Sequence, residues 1–261
     1  MIIDIHTHAW PDKIASKAKK SLESSYTVKF VGVPTVKTLL QYMDKNSIDM
    51  SVICSVASRP EQVPAINNWL FSIKNQKLKF FAAFHPGYPG WREELKRIRD
   101  NTFGIKLQPS FQDFYVDDEI AFPIYEEIEK TGLVILFHSG AELSPEMVVR
   151  ATPKRLLKVK EKFPRLKMIA AHFGGFRFWD EVKKFLLGKD IYLDTSAFFG
   201  YLPDEEAKEL ILNHRCDRIV FGTDFPIIDQ KQDLDYFEKL GFAKGLKERI
   251  FSGNARDLLG I

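Results

Sequence analysis

Residues 1–10 read MIIDIHTHAW. Ile2, Ile3 and Ile5 are β-branched and crowded together, which suits a strand buried on both faces, the kind found in parallel sheets covered by helices. The same stretch ends in His6 and His8. Residues i and i+2 of a strand point to one side, so the two imidazoles project together. A lone histidine there reads as a core residue bonded to backbone. Two on one face, after Asp4, turn the reading toward a metal, because imidazole is the commonest metal-ligating side chain.

Seven more short apolar runs follow: residues 48–55, 78–84, 103–107, 133–137, 166–171, 191–196 and 217–222. After the second they recur every ~25–33 residues, the size of a strand with its returning helix. Helical spacing fills the gaps. Val36, Leu39, Leu40 and Met43 form one stripe after a Thr35 cap, and Ile120, Ile124, Tyr125 and Ile128 form another that ends at Gly132. Residues 152–163 and 203–214 begin with helix-start chemistry. Strict alternation in 261 residues predicts a single-domain (β/α)8 TIM barrel over residues 1–261. A doubly wound sheet is the alternative, but no G-x-G-x-x-G follows the first strand. The only long connection, residues 9–34, is expected to form a mobile cover, with a helix around 12–23.

Composition narrows the function. A net charge of +3 with scattered lysines does not call for nucleic acid. Lys17, Lys19 and Lys20 read as a solvated helix face. Two cysteines, Cys54 and Cys216, cannot build a disulfide framework and fit a cytoplasmic location. The start lacks a secretory signal, and no apolar run is long enough to span a membrane. The expected partner is a small molecule, and a homo-oligomer is compatible with the reading.

In a barrel, chemistry gathers at the carboxyl ends of the strands. His6 and His8 end the first strand, Lys106 lies near the end of the fourth, and His138 and His172 directly follow the fifth and sixth. Asp224 follows the eighth. Each alone has a structural explanation as good as a functional one. Four of the six histidines falling at strand ends decides for a metal site. Other residues read more modestly. His85 is assigned a supporting or loop role, His214 a surface place near a helix end, and Asp194 a supporting carboxylate. Arg59, Arg150 and Arg177 are candidates for an anionic substrate, though each reads first as structural. Trp10, Trp91, Phe198 and Phe199 are candidates for the pocket wall or for caps on the barrel core.

With these residues in place the chain resembles the amidohydrolase superfamily, in its amidohydrolase-related branch of hydrolases and decarboxylases. The resemblance runs through DIHTH (4–8), GIKLQP (104–109), FHSG (137–140), AHFGG (171–175), FGTDFP (221–226) and SGNARDLLGI (252–261). It implies one or two divalent ions, zinc first and manganese as an alternative, on His6, His8, Lys106, His138, His172 and Asp224. Asp224 would take a proton from water, and His172 would bind a second ion or support a developing oxyanion. Metal-dependent hydrolysis of an amide, lactone or ester in a small, carboxylated molecule is the expected function. Non-oxidative decarboxylation is the alternative. Lys106 discriminates between them. It either faces a substrate carboxylate, carries a carbamate that bridges two ions, or sits aside, pointing outward or bonding Asp194.

Overall fold

The computed structural model describes all residues except 27 and 145. Eight parallel strands pair in sequence order: β1 (Ile3–Thr7), β2 (Met50–Cys54), β3 (Leu78–Ala83), β4 (Gly104–Leu107), β5 (Val134–Phe137), β6 (Lys167–Ala170), β7 (Tyr192–Asp194) and β8 (Ile219–Val220). The barrel is closed by the segment beyond β8. Ile5 N–H donates to the Phe221 carbonyl (2.9 Å), His8 N–H to that of Phe225 (2.7 Å) and Asp224 N–H to that of His6 (2.8 Å).

The first strand is followed by α1 (Asp12–Tyr26) and α2 (Val36–Lys45). The returning helices are then α3 (Val63–Ser72), α4 (Trp91–Ile98), α5 (Pro109–Gln112), α6 (Phe122–Thr131), α7 (Pro153–Lys162), α8 (Trp179–Phe185), α9 (Asp204–Asn213), α10 (Gln230–Lys239), α11 (Lys244–Glu248) and α12 (Asn254–Leu259). Local chemistry sets the ends read from sequence. The Thr35 and Thr152 side chains accept from the N–H groups of Thr38 and Arg155, and Gly132 ends α6 at φ +74°. Ile120 does not join the apolar face of α6. It lies in the 3₁₀ turn before that helix and is exposed.

Alternation along the strands divides two cores. Ile3, Val52, Phe81, Val134, Leu136 and Ile169 fill the lumen. Ile105, Leu107, Ile135 and Phe137 pack outward with Ile124, Tyr125 and Ile128 of α6. Lys106 pairs in register with Leu136, so it belongs to the lumen.

The register of β1 against β2 slips between Asp4 and Thr7, where three steps on β1 match two on β2. This is a β-bulge, the device that re-aims a strand beside a site. Ile3 and Ile5 pack in the lumen, and strict alternation from them would turn His6 and His8 outward with Asp4. The extra residue brings both histidines back in.

Candidate active site

Six polar side chains meet where the lumen opens, and three backbone devices put them there. Plain alternation from Val134 and Leu136 delivers His138, just as it delivers Lys106. The bulge delivers His6 and His8. At β6, Ala171 already faces the lumen, so His172 would point away if the strand continued. It adopts φ +57° and turns back in, its N–H held by Asp194 Oδ1 at 2.9 Å. Asp224 also sits at φ +63°. Non-glycine residues in this region cost about 1–3 kcal/mol each and gather at functional sites. Gly222 leaves room for the group: a Cβ there would lie 3.0 Å from that of His6.

The ring nitrogens can be assigned, because a carbonyl oxygen only accepts. His8 Nδ1 donates to the Cys54 carbonyl (2.7 Å), which leaves its Nε2 bare, 2.9 Å from Asp224 Oδ1. His138 Nε2 donates to the Ala141 carbonyl (3.1 Å), and His172 Nδ1 donates to the Ser196 carbonyl (3.2 Å). Their remaining nitrogens, both bare, face each other at 3.0 Å. His6 Nδ1 donates to Asp194 Oδ2 (2.9 Å), and its Nε2 accepts from Lys106 Nζ (3.1 Å) and lies 3.6 Å from Asp224 Oδ1.

Lone pairs therefore oppose lone pairs between His138 and His172 and between His8 and Asp224. Burial drives three of these imidazoles neutral. It lowers His6, takes His138 down to about 3 and His172 to about 4, with nearby positive charge, Lys106 for His6 and His138 and His138 for His172, adding to the effect. Something that accepts electron pairs has to lie among them, and a divalent cation fits. Donating the outer N–H to a carbonyl or carboxylate is also what a metal-ligating histidine does. His6, His8 and Asp224 each bring a ligand atom within 4.8 Å of the others, as do His6, His172 and Asp194. His138 belongs to neither group and pairs with His172 instead.

Burial lowers Lys106 from its usual value, opposed by Cys54, Asp224, Asp194 and Glu142. It is 1 % exposed. It therefore neither points outward nor bonds Asp194, which holds His6 instead. Burial alone would raise Asp224, but its close contacts with the imidazoles of His8, His6 and His172 hold it below the usual carboxylate range.

The cluster is the floor of a cavity of about 790 Å³. Trp10, Tyr26, Phe30, Phe111 and Phe176 line it, and Lys17 and Arg59 stand at its exposed edge. The described part of residues 9–34 covers it: α1 contributes Ile14, Ala18 and Leu22, and Tyr26 OH donates to Glu142 Oε2 at 3.4 Å. Residue 27 of that segment lies outside the described residues.

Several expectations change. Lys17 faces the cavity rather than only solvent, and Lys19 Nζ donates to the Gly32 carbonyl (2.9 Å). Trp91, Phe198 and Phe199 are core residues. Arg150 binds Asp113, and Arg177 lies over the Phe176 ring. His85 accepts from the Gly87 N–H (3.0 Å). His214 is buried, with both ring nitrogens on backbone. Sequence reasoning missed Glu142, Gln108 and Ser196. Glu142, four residues beyond His138 in FHSGAE, is buried and raised by that burial, and Gln108 Nε2 donates to its Oε1 at 2.9 Å.

The family model described as amidohydrolase matches residues 3–261. The chain belongs to this family. Members of the amidohydrolase superfamily are metal-dependent enzymes, hydrolases and carboxy-lyases. The chain is 24% identical over 204 residues to a 2-amino-3-carboxymuconate-6-semialdehyde decarboxylase of Dictyostelium discoideum, spanning 65% of this chain and 57% of that relative. Among solved structures it resembles a dihydroxybenzoic acid decarboxylase from Polaromonas sp. JS666 with bound manganese and the inhibitor 2-nitroresorcinol. That match has a TM-score of 0.72 and 17% identity, and covers 99% of this chain and 96% of the other. It also resembles a probable 2-pyrone-4,6-dicarboxylic acid hydrolase from Acinetobacter baumannii, with TM-score 0.68 and 14% identity, over 100% and 99% of the two chains. At these identities the two structures speak for the fold. Among the described residues, no helix is long and apolar enough to cross a membrane.

Proposed function

We propose that the chain is a metal-dependent carboxy-lyase acting on a small, flat, unsaturated carboxylic acid. One observation carries this reading: the histidine and aspartate cluster floors a cavity with aromatic walls and cations at its edge. Aromatic faces suit a planar conjugated molecule, and Lys17 and Arg59 suit its negative charge. The decarboxylases among the similar proteins support the same reading.

His6, His8 and Asp224 would hold the ion, with His172 and His138 beside them. When bound, a divalent cation neutralises substrate charge and draws electron density from an oxygen ligand. In the reaction the bond to the carboxylate carbon breaks, its electron pair stays on the substrate carbon, and a proton replaces the carbon dioxide lost. Asp224 and Glu142 are the carboxyl groups that line the cavity and are available for that transfer. The walls and α1 exclude water from the carbon while it is protonated.

Hydrolysis, the function expected first from sequence, is favoured by one feature. Asp224 is held ionised and so can accept a proton from water at neutral pH. Zinc- and manganese-loaded protein incubated with hydroxybenzoates, unsaturated acyclic acids and lactones separates the two. Carbon dioxide release with a solvent proton placed on the product supports decarboxylation. Ring opening of lactones without carbon dioxide release supports hydrolysis and overturns the first reading.

A further inference from the structure

Behind β1, on the side away from the lumen, lies a second group of buried oxygens. Asp4 projects there and is well bonded. Its Oδ2 accepts from Thr223 Oγ1 (2.7 Å) and Gln230 Nε2 (2.9 Å), and its Oδ1 from the N–H groups of Thr223 (3.1 Å) and His6 (3.3 Å). Its neighbours are not satisfied. Both carboxylate oxygens of Asp233, Gln230 Oε1 and Ser51 Oγ have no hydrogen-bond partner among the described residues, although all three residues are fully buried.

These residues are placed together by the fold. Ser51 is the register partner of Asp4 on β2. Gln230 and Asp233 lie one turn apart on α10 and so share a face. Gln230 is anchored through its nitrogen to Asp4, so its free oxygen belongs to the same pocket. Burial raises Asp233 well above the usual carboxylate range. The leading charges acting on it are all acids, Asp4 first, then Asp224, Asp194 and Asp229.

Buried polar atoms of native proteins are almost always satisfied, and an unsatisfied set calls for a water or an ion. Here Gln230 Oε1 can only accept, and both Asp233 oxygens do so once a cation holds that carboxylate ionised, with no lysine or arginine among the leading influences on it. We propose that Asp233, Gln230, Ser51 and Asp4 form a binding site for one oxygen-preferring cation between β1, β2 and α10, separate from the histidine cluster. An all-oxygen set selects hard ions over zinc. Asp4 bonds the backbone of His6 and of Thr223, the residue before Asp224, so the cation positions two of the turns that carry the active cluster.

The test is the melting temperature of purified protein, stripped with a chelator into choline chloride and titrated separately with K⁺, Na⁺, Mg²⁺ and Ca²⁺. One ion is expected to raise Tm saturably, by about 5–10 °C at ~100 times its Kd. The rise should persist in Asp224→Asn, whose side chain contacts none of the four proposed ligands, and vanish in Asp233→Asn. Ser51→Ala removes one oxygen without removing a hydrogen bond and should move the midpoint to higher ion concentration. A wild-type Tm indifferent to all four ions overturns the inference, and so does a rise that survives Asp233→Asn. Should Asp233→Asn fail to fold, an unchanged midpoint in Ser51→Ala overturns it.

Discussion

The two ends of the barrel each bury histidine, and they treat it differently. At the lower end His214 accepts from the Gly188 N–H (3.2 Å) at Nδ1 and donates to the Ile191 carbonyl (3.0 Å) from Nε2. Both nitrogens are matched, and burial lowers its pKa to about 4. At the mouth, His8, His138 and His172 are each matched at one nitrogen and bare at the other, and His6 meets only the Lys106 amine at its second. Burial and lowered basicity are common to His214 and to His6, His138 and His172. The unmatched lone pairs are what mark the mouth as a place for chemistry.

The largest test of this contrast removes the carboxylate that faces those lone pairs. Asp224→Asn keeps the shape but loses the charge and the proton acceptor, so kcat should fall by about 10²–10⁴, or ~3–5 kcal/mol. Metal content measured alongside rate separates loss of the ion from loss of proton transfer. An equal rate in the variant would place Asp224 outside the mechanism.

His214 offers the complementary test. Its folded pKa lies below the unfolded value, so its neutral form contributes stability above about pH 6.5 that is lost as the pH falls through about 4. A shift of this size corresponds to an order of 3 kcal/mol. Gln can serve both backbone groups without titrating. The stability gap between wild type and His214→Gln, from urea unfolding, should therefore narrow steadily from pH 6.5 to 4. A constant gap would show that His214 does not titrate in this window.

Lys106 sharpens the comparison from inside the mouth. Its amine is buried against His6 Nε2, an arrangement in which burial of a charge opposes folding. Lys106→Met should raise unfolding free energy by about 1–2 kcal/mol while turnover falls. One ion per chain, unchanged by bicarbonate in the wild type, is the expected metal count. Two ions in bicarbonate, falling to one in Lys106→Met, would instead establish a carbamate bridge and return the balance to hydrolysis.

The smallest effect is expected at the cover. Tyr26→Phe deletes the hydroxyl that meets Glu142 and should cost under ~1 kcal/mol of stability. Hydrogen exchange in α1 should rise in the free protein and fall when an inhibitor binds. Equal protection in both states would make the segment a fixed part of the barrel.

The barrel was legible because strand and helix periods alternate without interruption from Ile3 to Leu259, and all six lumen residues were named from their strand ends. What stayed hidden depended on backbone detail. The register slip at Asp4–Thr7 has no signature in DIHTH, and nothing in AHFGG announces the left-handed turn at His172. Glu142 and Ser196 escaped because each follows a residue that drew the attention first. His214 was read as exposed because a helix-ending histidine beside Arg215 looks solvated, whereas its two backbone partners lie in the turn before β7 and are distant in sequence.

The bulge in β1 has a consequence for how this chain could change over time. Along a strand, side-chain direction has only two values, and one surplus residue between Asp4 and Thr7 exchanges them for everything downstream. Inserting one further residue there would keep Ile3 in the lumen and the helices outside, yet send both histidines out among the packing between strand and helix, whereas deleting Ile5 would set His6 in its place, still facing the lumen. The distance from this amidohydrolase-family barrel to an inert one of the same shape is thus a parity change of three nucleotides, with no altered side chain at all.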